Sequence, residues 1–67
     1  MAIEKIGELK IVRHETDPLI SVYRGDKFLG AINPPLRWNP DAGFEAAPVH
    51  GEKVVFSTEA EALAFFA

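Results

Sequence analysis

The residues best able to do chemistry in this chain are its two histidines. His14 precedes Glu15 and His50 lies two residues before Glu52, and an imidazole near a carboxylate can bind a transition metal. The spacing matches no known set of metal ligands, and the chain has no cysteine, so thiolate sites and disulfides are excluded. We therefore predict no metal site and no cofactor.

The two serines, Ser21 and Ser57, would be nucleophiles only beside a base and an oxyanion site. Ser21 lies in a predicted strand, Ser57 precedes a predicted helix cap, and neither belongs to a G-x-S-x-G sequence. The acidic residues are scattered, and the five glycines stand alone instead of forming a phosphate-binding loop. A domain of 67 residues also has little room for a pocket that excludes water. We predict that the protein is not an enzyme and has no catalytic residues.

Aromatic and basic residues make a better case for a binding surface. Trp38 is the only tryptophan and stands between two proline-containing turns. Tryptophan, tyrosine and arginine dominate the energetics of protein interfaces, although Trp38 taken alone is explained more simply as a plug on an open sheet face. Phe65 and Phe66 point about 100° apart on a helix, so only one can face the core. The candidate partner-binding residues are Tyr23, Arg24, Lys27, Arg37, Trp38 and Phe65.

The distribution of charge leaves nucleic-acid binding as an alternative. The net charge of −3 disfavours a protein whose whole surface binds phosphates. Between Ser21 and Trp38, however, the ionisable residues are mostly basic, namely Arg24, Lys27 and Arg37 against Asp26. Lys10, Arg13 and Lys53 also lie on predicted strands, whereas the predicted helix carries only acids. A mildly basic sheet opposite an acidic helix would let Tyr23 and Trp38 stack on bases.

The strands that must position these residues are short and separated by frequent turns. Runs rich in β-branched and aromatic residues predict strands at 9–13, 19–23, 27–32 and 53–56. A shorter hairpin is predicted between 36–38 and 44–47. Gly25-Asp26 joins two strand-like runs and predicts a primed two-residue turn. Arg24-Gly25-Asp26 is therefore interpreted as a hairpin tip and not as a cell-adhesion ligand.

The last ten residues change from a strand pattern to a helix pattern. Thr58 and Glu61 have the spacing of a capping box, in which each side chain satisfies a backbone N–H of the first turn. A small apolar face follows at helical spacing, formed by Ala60, Leu63, Ala64 and Ala67. We expect this face to pack closely on the sheet.

Together these elements predict one α+β domain over residues 1–67. Its fold class is a small antiparallel β-meander of three to five short strands, with one C-terminal α-helix packed on one sheet face. The apolar runs at 28–32 and 54–56 are continuous, which is typical of strands buried on both faces. The second face would be covered by the segment 38–49 or by another molecule, and we predict a weak homodimer.

The sequence also predicts where the protein acts. The first twelve residues lack the basic and apolar regions of a signal peptide, and no stretch approaches the roughly 20 apolar residues of a membrane span. A cytoplasmic location without membrane contact is therefore expected.

The segment 56–65, with the sequence FSTEAEALAF, resembles the end of the Arm-type DNA-binding domains of phage integrases. Those domains close with a strand, a Phe-x-Thr cap, a Glu-Ala pair and a short helix, and they bind DNA with the sheet. The resemblance implies DNA-binding roles for Arg24, Lys27 and Arg37. More loosely, the chain is similar to small accessory proteins of phages and bacteria, many of which dock onto a larger protein.

Our functional prediction is a non-catalytic protein-binding module. It would act as a small inhibitor or adaptor of phage or bacterial type, docking on a larger protein through the open face of its sheet. The alternative is a nucleic-acid-binding module that uses the same face.

Overall fold

The computed structural model describes residues 2–67. Six strands form one antiparallel sheet whose spatial order is the order of the chain. The elements are β1 (Ala2–Ile6), β2 (Leu9–Arg13), β3 (Ile20–Arg24), β4 (Lys27–Asn33), a 3₁₀ turn (Pro40–Ala42), β5 (Phe44–Pro48), β6 (Val54–Phe56) and α1 (Glu59–Phe66). The predicted meander with one C-terminal helix is confirmed, with six strands instead of three to five. No helix among residues 2–67 has the length and apolar character needed to cross a membrane.

The strand missing from the prediction is β1, which pairs with all five residues of β2. The two strands are joined by Gly7-Glu8, in which Gly7 has a φ of 62°. The predicted hairpin at Gly25-Asp26 has the same form, because Arg24 lies opposite Lys27 and Gly25 has a φ of 61°. A glycine with positive φ at the first central position suits a tight primed turn. Arg24-Gly25-Asp26 is thus a hairpin tip, as expected.

The prediction of a hairpin around 39–43 is wrong for its first strand, 36–38. The Asn39 N–H donates to the Leu36 carbonyl at 2.9 Å, so the chain turns where a strand was predicted. Pro34 and Pro35 also lack the N–H groups that a strand ladder needs. β5 pairs with β4 instead, with Asn33 opposite Glu45. The segment 38–49 therefore supplies a strand of the sheet and does not cover its second face.

The hydrophobic core lies between α1 and one face of the sheet. Its buried side chains are Leu9, Ile11, Ile20, Val22, Ile32, Ala46, Ala62, Leu63 and Phe66. The helix packs mainly on β4, β5 and β6. Burying each large apolar side chain contributes roughly 1.5–3 kcal/mol, so this single layer supplies most of the stability.

The packing face of α1 differs from the predicted one. Leu63 is buried as expected, but Ala60, Ala64 and Ala67 are exposed. Ala62 and Phe66 take their place in the core. The physical reason is area, because a phenylalanine ring removes far more apolar surface from water than an alanine methyl group does.

The predicted helix cap is confirmed. The Thr58 side chain accepts a hydrogen bond from the Glu61 N–H at 3.2 Å, and Thr58 is the N-cap residue. The return bond of the capping box takes another form, because the Glu61 carboxylate accepts from the Thr58 hydroxyl at 3.1 Å. The cap therefore satisfies one of the unpaired N–H groups of the first turn.

Arg13 ties the helix to the β1–β2 end of the sheet. Its guanidinium donates to both carboxylate oxygens of Glu59, at 2.8 and 3.1 Å, and also to the Glu4 carboxylate on β1. These hydrogen bonds raise the pKa of Arg13, and the hydrogen bond from Arg13 lowers the pKa of Glu59. The ion pair thus joins β1, β2 and the first turn of α1.

Candidate binding surface

The candidate binding residues near the β3–β4 hairpin point in different directions. Tyr23 lies on the face of the sheet opposite α1, in the row that joins Lys10 to Phe28. Arg24 lies opposite the core residue Leu9, hence on the helix side, and pairs with the Glu8 carboxylate at 2.6 Å. Lys27 is exposed at the hairpin tip. These side chains do not form one cluster.

The other candidate residues are still farther away. Arg37 and Trp38 follow the opposite end of β4, a strand of seven residues that spans about 20 Å. Trp38 is 80% exposed, so its predicted role as a plug on the open face is wrong. Phe65 is 41% exposed on α1 while Phe66 is buried, as expected for adjacent helical residues. The six residues therefore occupy several parts of the surface.

The face of the sheet opposite α1, which we call the open face, is not covered by any helix of residues 2–67. Cross-strand neighbours form a flat and mostly apolar strip along it, which we call the apolar strip, in the order Ile3, Val12, Ser21, Ala31 and Ala47. Val12 is buried on this face although it does not belong to the core cluster. The strip offers small side chains to which a flat partner surface can approach closely.

A second row of cross-strand neighbours lies beside this strip. It consists of Lys5, Lys10, Tyr23 and Phe28 on β1 to β4, and we call it the lysine–aromatic row. The Lys10 ammonium lies 5.0 Å from the centre of the Tyr23 ring, which is cation–π distance. The Tyr23 and Phe28 rings are 5.2 Å apart at an angle of 58°. Positive charge and ring surface are therefore contiguous.

The lysines of this row lie directly opposite each other on β1 and β2. Like charges in such a pair destabilise a sheet. Glu4 and Glu59 lie on the helix side of the sheet, where they bind Arg13, and Glu8 binds Arg24. The open face is thus locally cationic in a protein of net charge −3.

Lys5 and Phe28 were not among the candidate residues. Lys5 could have been found from the Gly7-Glu8 turn, which places it opposite Lys10 once β1 is recognised. Phe28 lies in a continuous apolar run, and β4 contains a bulge at Leu29, which has no partner in the register. A bulge changes which side chains share a face, so the position of Phe28 does not follow from alternation alone.

His14 and Ser21 lie together on the open face, with the His14 Nε2 atom 3.1 Å from the Ser21 hydroxyl. This meets one of the two conditions for a serine nucleophile, a nearby base. Ser21 is buried on β3, and the contact gives its hydroxyl a partner. Its evident role is structural. No group of three or more His, Asp or Glu side chains that could hold a metal occurs in the described part of the chain.

On the helix side of the sheet, a groove of about 610 Å³ separates α1 from the β1–β2 hairpin. Ile6 and Leu9 form one wall, and the rim includes Glu8 and Arg24. The other wall is the small apolar face predicted for the helix, formed by Ala60, Leu63, Ala64 and Ala67. The four residues predicted for this face do lie together on α1. They line an open groove, however, and do not form the main contact with the sheet.

Comparison with known proteins gives no relative for this architecture: no family model, no curated protein and no solved structure matches the chain.

Proposed function

We propose that the protein is a non-catalytic module that binds another protein through the open face of its sheet. The observation that carries this proposal is the lysine–aromatic row. Two opposed lysines without carboxylate partners gain from an anionic ligand, and the adjoining Tyr23 and Phe28 rings offer apolar contact. The matching partner surface is a segment that carries carboxylates next to apolar side chains.

The apolar strip favours a protein segment over other anionic ligands of the open face. Ile3 is largely exposed at its outer end, and Ala31 and Ala47 leave the middle of the face flat. Burial of such a strip contributes roughly 25 cal/mol per Å² of apolar area. The net charge of −3 repels an extended polyanion more than it repels a short acidic segment. In this role the protein acts in the cytoplasm as an inhibitor or adaptor of phage or bacterial type.

Titration of the ¹⁵N-labelled protein with a peptide that alternates aspartate and aromatic residues tests the proposal. We expect amide shifts on β1 to β4 around the lysine–aromatic row. Lys10→Glu should weaken binding by about tenfold or more, because it places a negative charge against the acidic segment. Arg37→Glu is the matched control, since it reverses the same charge on the distant β4–β5 loop and should leave affinity unchanged. Equal losses in both variants, or shifts centred on Trp38, would contradict the proposal.

Single-stranded nucleic acid is the second candidate ligand for this face. The Tyr23–Phe28 ring pair supports it, because bases stack on aromatic side chains beside basic residues. The arginine roles implied by the Arm-type resemblance are less suited to it, since Arg24 is already paired with Glu8. Contacts of two phosphates with Lys5 and Lys10 would give a salt slope of about −1.4 for a single strand. Binding of an oligonucleotide with that slope, and not of the acidic peptide, would favour this candidate.

A further inference from the structure

β1 is the strand that the rest of the molecule holds least. All five of its residues are exposed, whereas each of the other strands contributes at least one buried or half-buried side chain. Its main contact is the pairing with β2, because it lies at the edge of the sheet and α1 packs on β4, β5 and β6. Elements that bury little apolar surface open at a low cost in free energy. Detachment of β1 therefore costs far less than unfolding of the core.

Charged side chains give the β1–β2 pairing one attraction and one repulsion. On the helix side Glu4 accepts from Arg13, but an ion pair this exposed contributes little to stability. Arg13 also donates to both carboxylate oxygens of Glu59, so its placement does not depend on β1. On the open face Lys5 lies directly opposite Lys10, and like charges in such a pair weaken the pairing of the strands. The charge between these two lysines therefore affects how firmly β1 is held.

The β1–β2 turn allows β1 to move without the rest of the sheet. Glu8 is tied to β3 by its ion pair with Arg24, so the β2 end of the turn is fixed. Gly7 precedes it with a φ of 62°, and a Cβ atom placed there would have no neighbour within 4 Å. Glycine has more backbone freedom than any other residue. Gly7 is therefore the point about which β1 can turn away from β2.

We propose that β1 is a clamp strand, which detaches from β2 while the rest of the fold stays intact, and which negative charge placed between Lys5 and Lys10 holds in its paired state. In the complex that charge comes from the acidic segment of the partner, so this part rests on the proposed function. A carboxylate that contacts both lysines binds the paired state more tightly than the detached state, in which Lys10 alone remains on the sheet. Binding of the partner and pairing of β1 therefore favour each other.

The clamp strand also completes the binding surface. Lys5 is the β1 member of the lysine–aromatic row, and Ile3 is the β1 member of the apolar strip, where it lies opposite Val12. Both the acidic and the apolar groups of a partner segment therefore contact β1. The affinity measured for the partner is lower than that of the paired state, in proportion to the fraction of molecules in which β1 is paired.

Amide hydrogen exchange followed by NMR tests the detachment of β1. The amides that bond β1 to β2 should have protection factors at least tenfold below those of the amides that bond β3 to β4. Lys5→Glu should raise the β1–β2 protection about threefold, because it replaces a repulsion from Lys10 by an attraction, and added salt should reduce this gain. Arg37→Glu is the matched control, since it makes the same charge change on the distant β4–β5 loop and should leave β1 unaffected. Equal protection of the two groups of amides, or no gain in Lys5→Glu, would overturn the proposal.

The peptide of alternating aspartate and aromatic residues separates the clamp strand from the proposed function. At saturation it should raise the protection of the β1–β2 amides of the unmodified protein about fivefold or more. Peptide that binds without this gain would overturn the clamp strand and leave the proposed function in place. If the peptide does not bind while Lys5→Glu raises the protection of β1, the clamp strand is supported and the proposed function is contradicted.

Discussion

Arg13 shows how one side chain can fix the relation between elements far apart in the chain. Its bonds to Glu59 and Glu4 hold the first turn of α1 against β1 and β2, although the helix packs mainly on the other half of the sheet. Glu59 has a lowered pKa because Arg13 donates to its carboxylate. The stabilisation from a lowered carboxylate pKa is present above the ordinary glutamate value and is lost as the pH falls through the folded-state value.

Glu59→Gln should therefore reduce the free energy of unfolding by about 0.5–1 kcal/mol near neutral pH, the range for a partly exposed ion pair. The difference from the unmodified protein should shrink in acid, as the pH falls through the lowered folded-state pKa of Glu59 and the carboxylate becomes protonated in both states. Urea unfolding at neutral and at acid pH measures it, with Glu52→Gln in an exposed loop as control. An undiminished loss in acid would mean that Glu59 stabilises the fold by packing and not by charge.

Gly30 lets the Phe66 ring and β5 approach β4 more closely than any amino acid with a Cβ atom would allow. A Cβ atom there would lie 2.8 Å from the Phe66 ring and would also collide with the Ala47 carbonyl oxygen. Gly30→Ala should cost about 1–3 kcal/mol or more, because the clash forces strand and helix apart. Thermal unfolding measures the loss. Gly7→Asn is the control, because its Cβ position is open and asparagine tolerates positive φ; an equal loss there would show that backbone strain, and not the clash, dominates.

Elements whose signals are local were predicted well, and those that depend on distant contacts were not. The Gly25-Asp26 hairpin and the Thr58 cap each follow from adjacent residues. The face of α1 did not follow, because its choice between alanines and Phe66 depends on the shape of the sheet beneath it. The Arg13–Glu59 ion pair joins residues 46 positions apart and has no local signal. β1 is the exception, because Gly7-Glu8 is a local signal for the β1–β2 hairpin.

Thr58→Ala should lower stability by about 0.5–2 kcal/mol, the usual cost of losing a helix cap. The variant removes the acceptor for the Glu61 N–H and leaves the helix start without its cap. Denaturant midpoints measure the change. Thr16→Ala, in the exposed loop between β2 and β3, removes the same hydroxyl where no helix begins and should change little. A midpoint unchanged by Thr58→Ala would place the effective cap elsewhere.

The whole molecule depends on one thin core, and its binding face is assembled from four strands. For two members of the lysine–aromatic row the sequence made a prediction: a binding role for Tyr23 and a place on a basic sheet for Lys10. The other members required the register of strands that were missed or bulged. A row that crosses a sheet is set by pairings between elements, and no local window of sequence contains it. Trp38 was misjudged for the same reason, since its exposure depends on the path of the β4–β5 loop.

Phe66→Ala should cost about 3–5 kcal/mol, which is the range for a buried phenylalanine. A domain of 67 residues has a total stability of roughly 3–10 kcal/mol, so this variant should be largely unfolded at physiological temperature. Circular dichroism and calorimetry measure the loss. Phe65→Ala is the matched control in the same helix, and its exposed ring should cost under about 1 kcal/mol. Similar losses for both would mean that α1 buries both rings.

The order of the strands has a consequence for how the chain reaches its structure. Every strand pairs with its neighbour in sequence, and the connections of β1 to β4 are short. Closing such loops costs little chain entropy, so the rate-limiting barrier need not await contacts between distant segments. The helix is the last element of the chain and must pack on β4 and β5 to complete the core. We expect single-exponential refolding within milliseconds in stopped-flow experiments, with Phe66 substitutions acting mainly on the unfolding rate; a slow refolding limb sensitive to Phe66 would mean that helix docking forms the barrier.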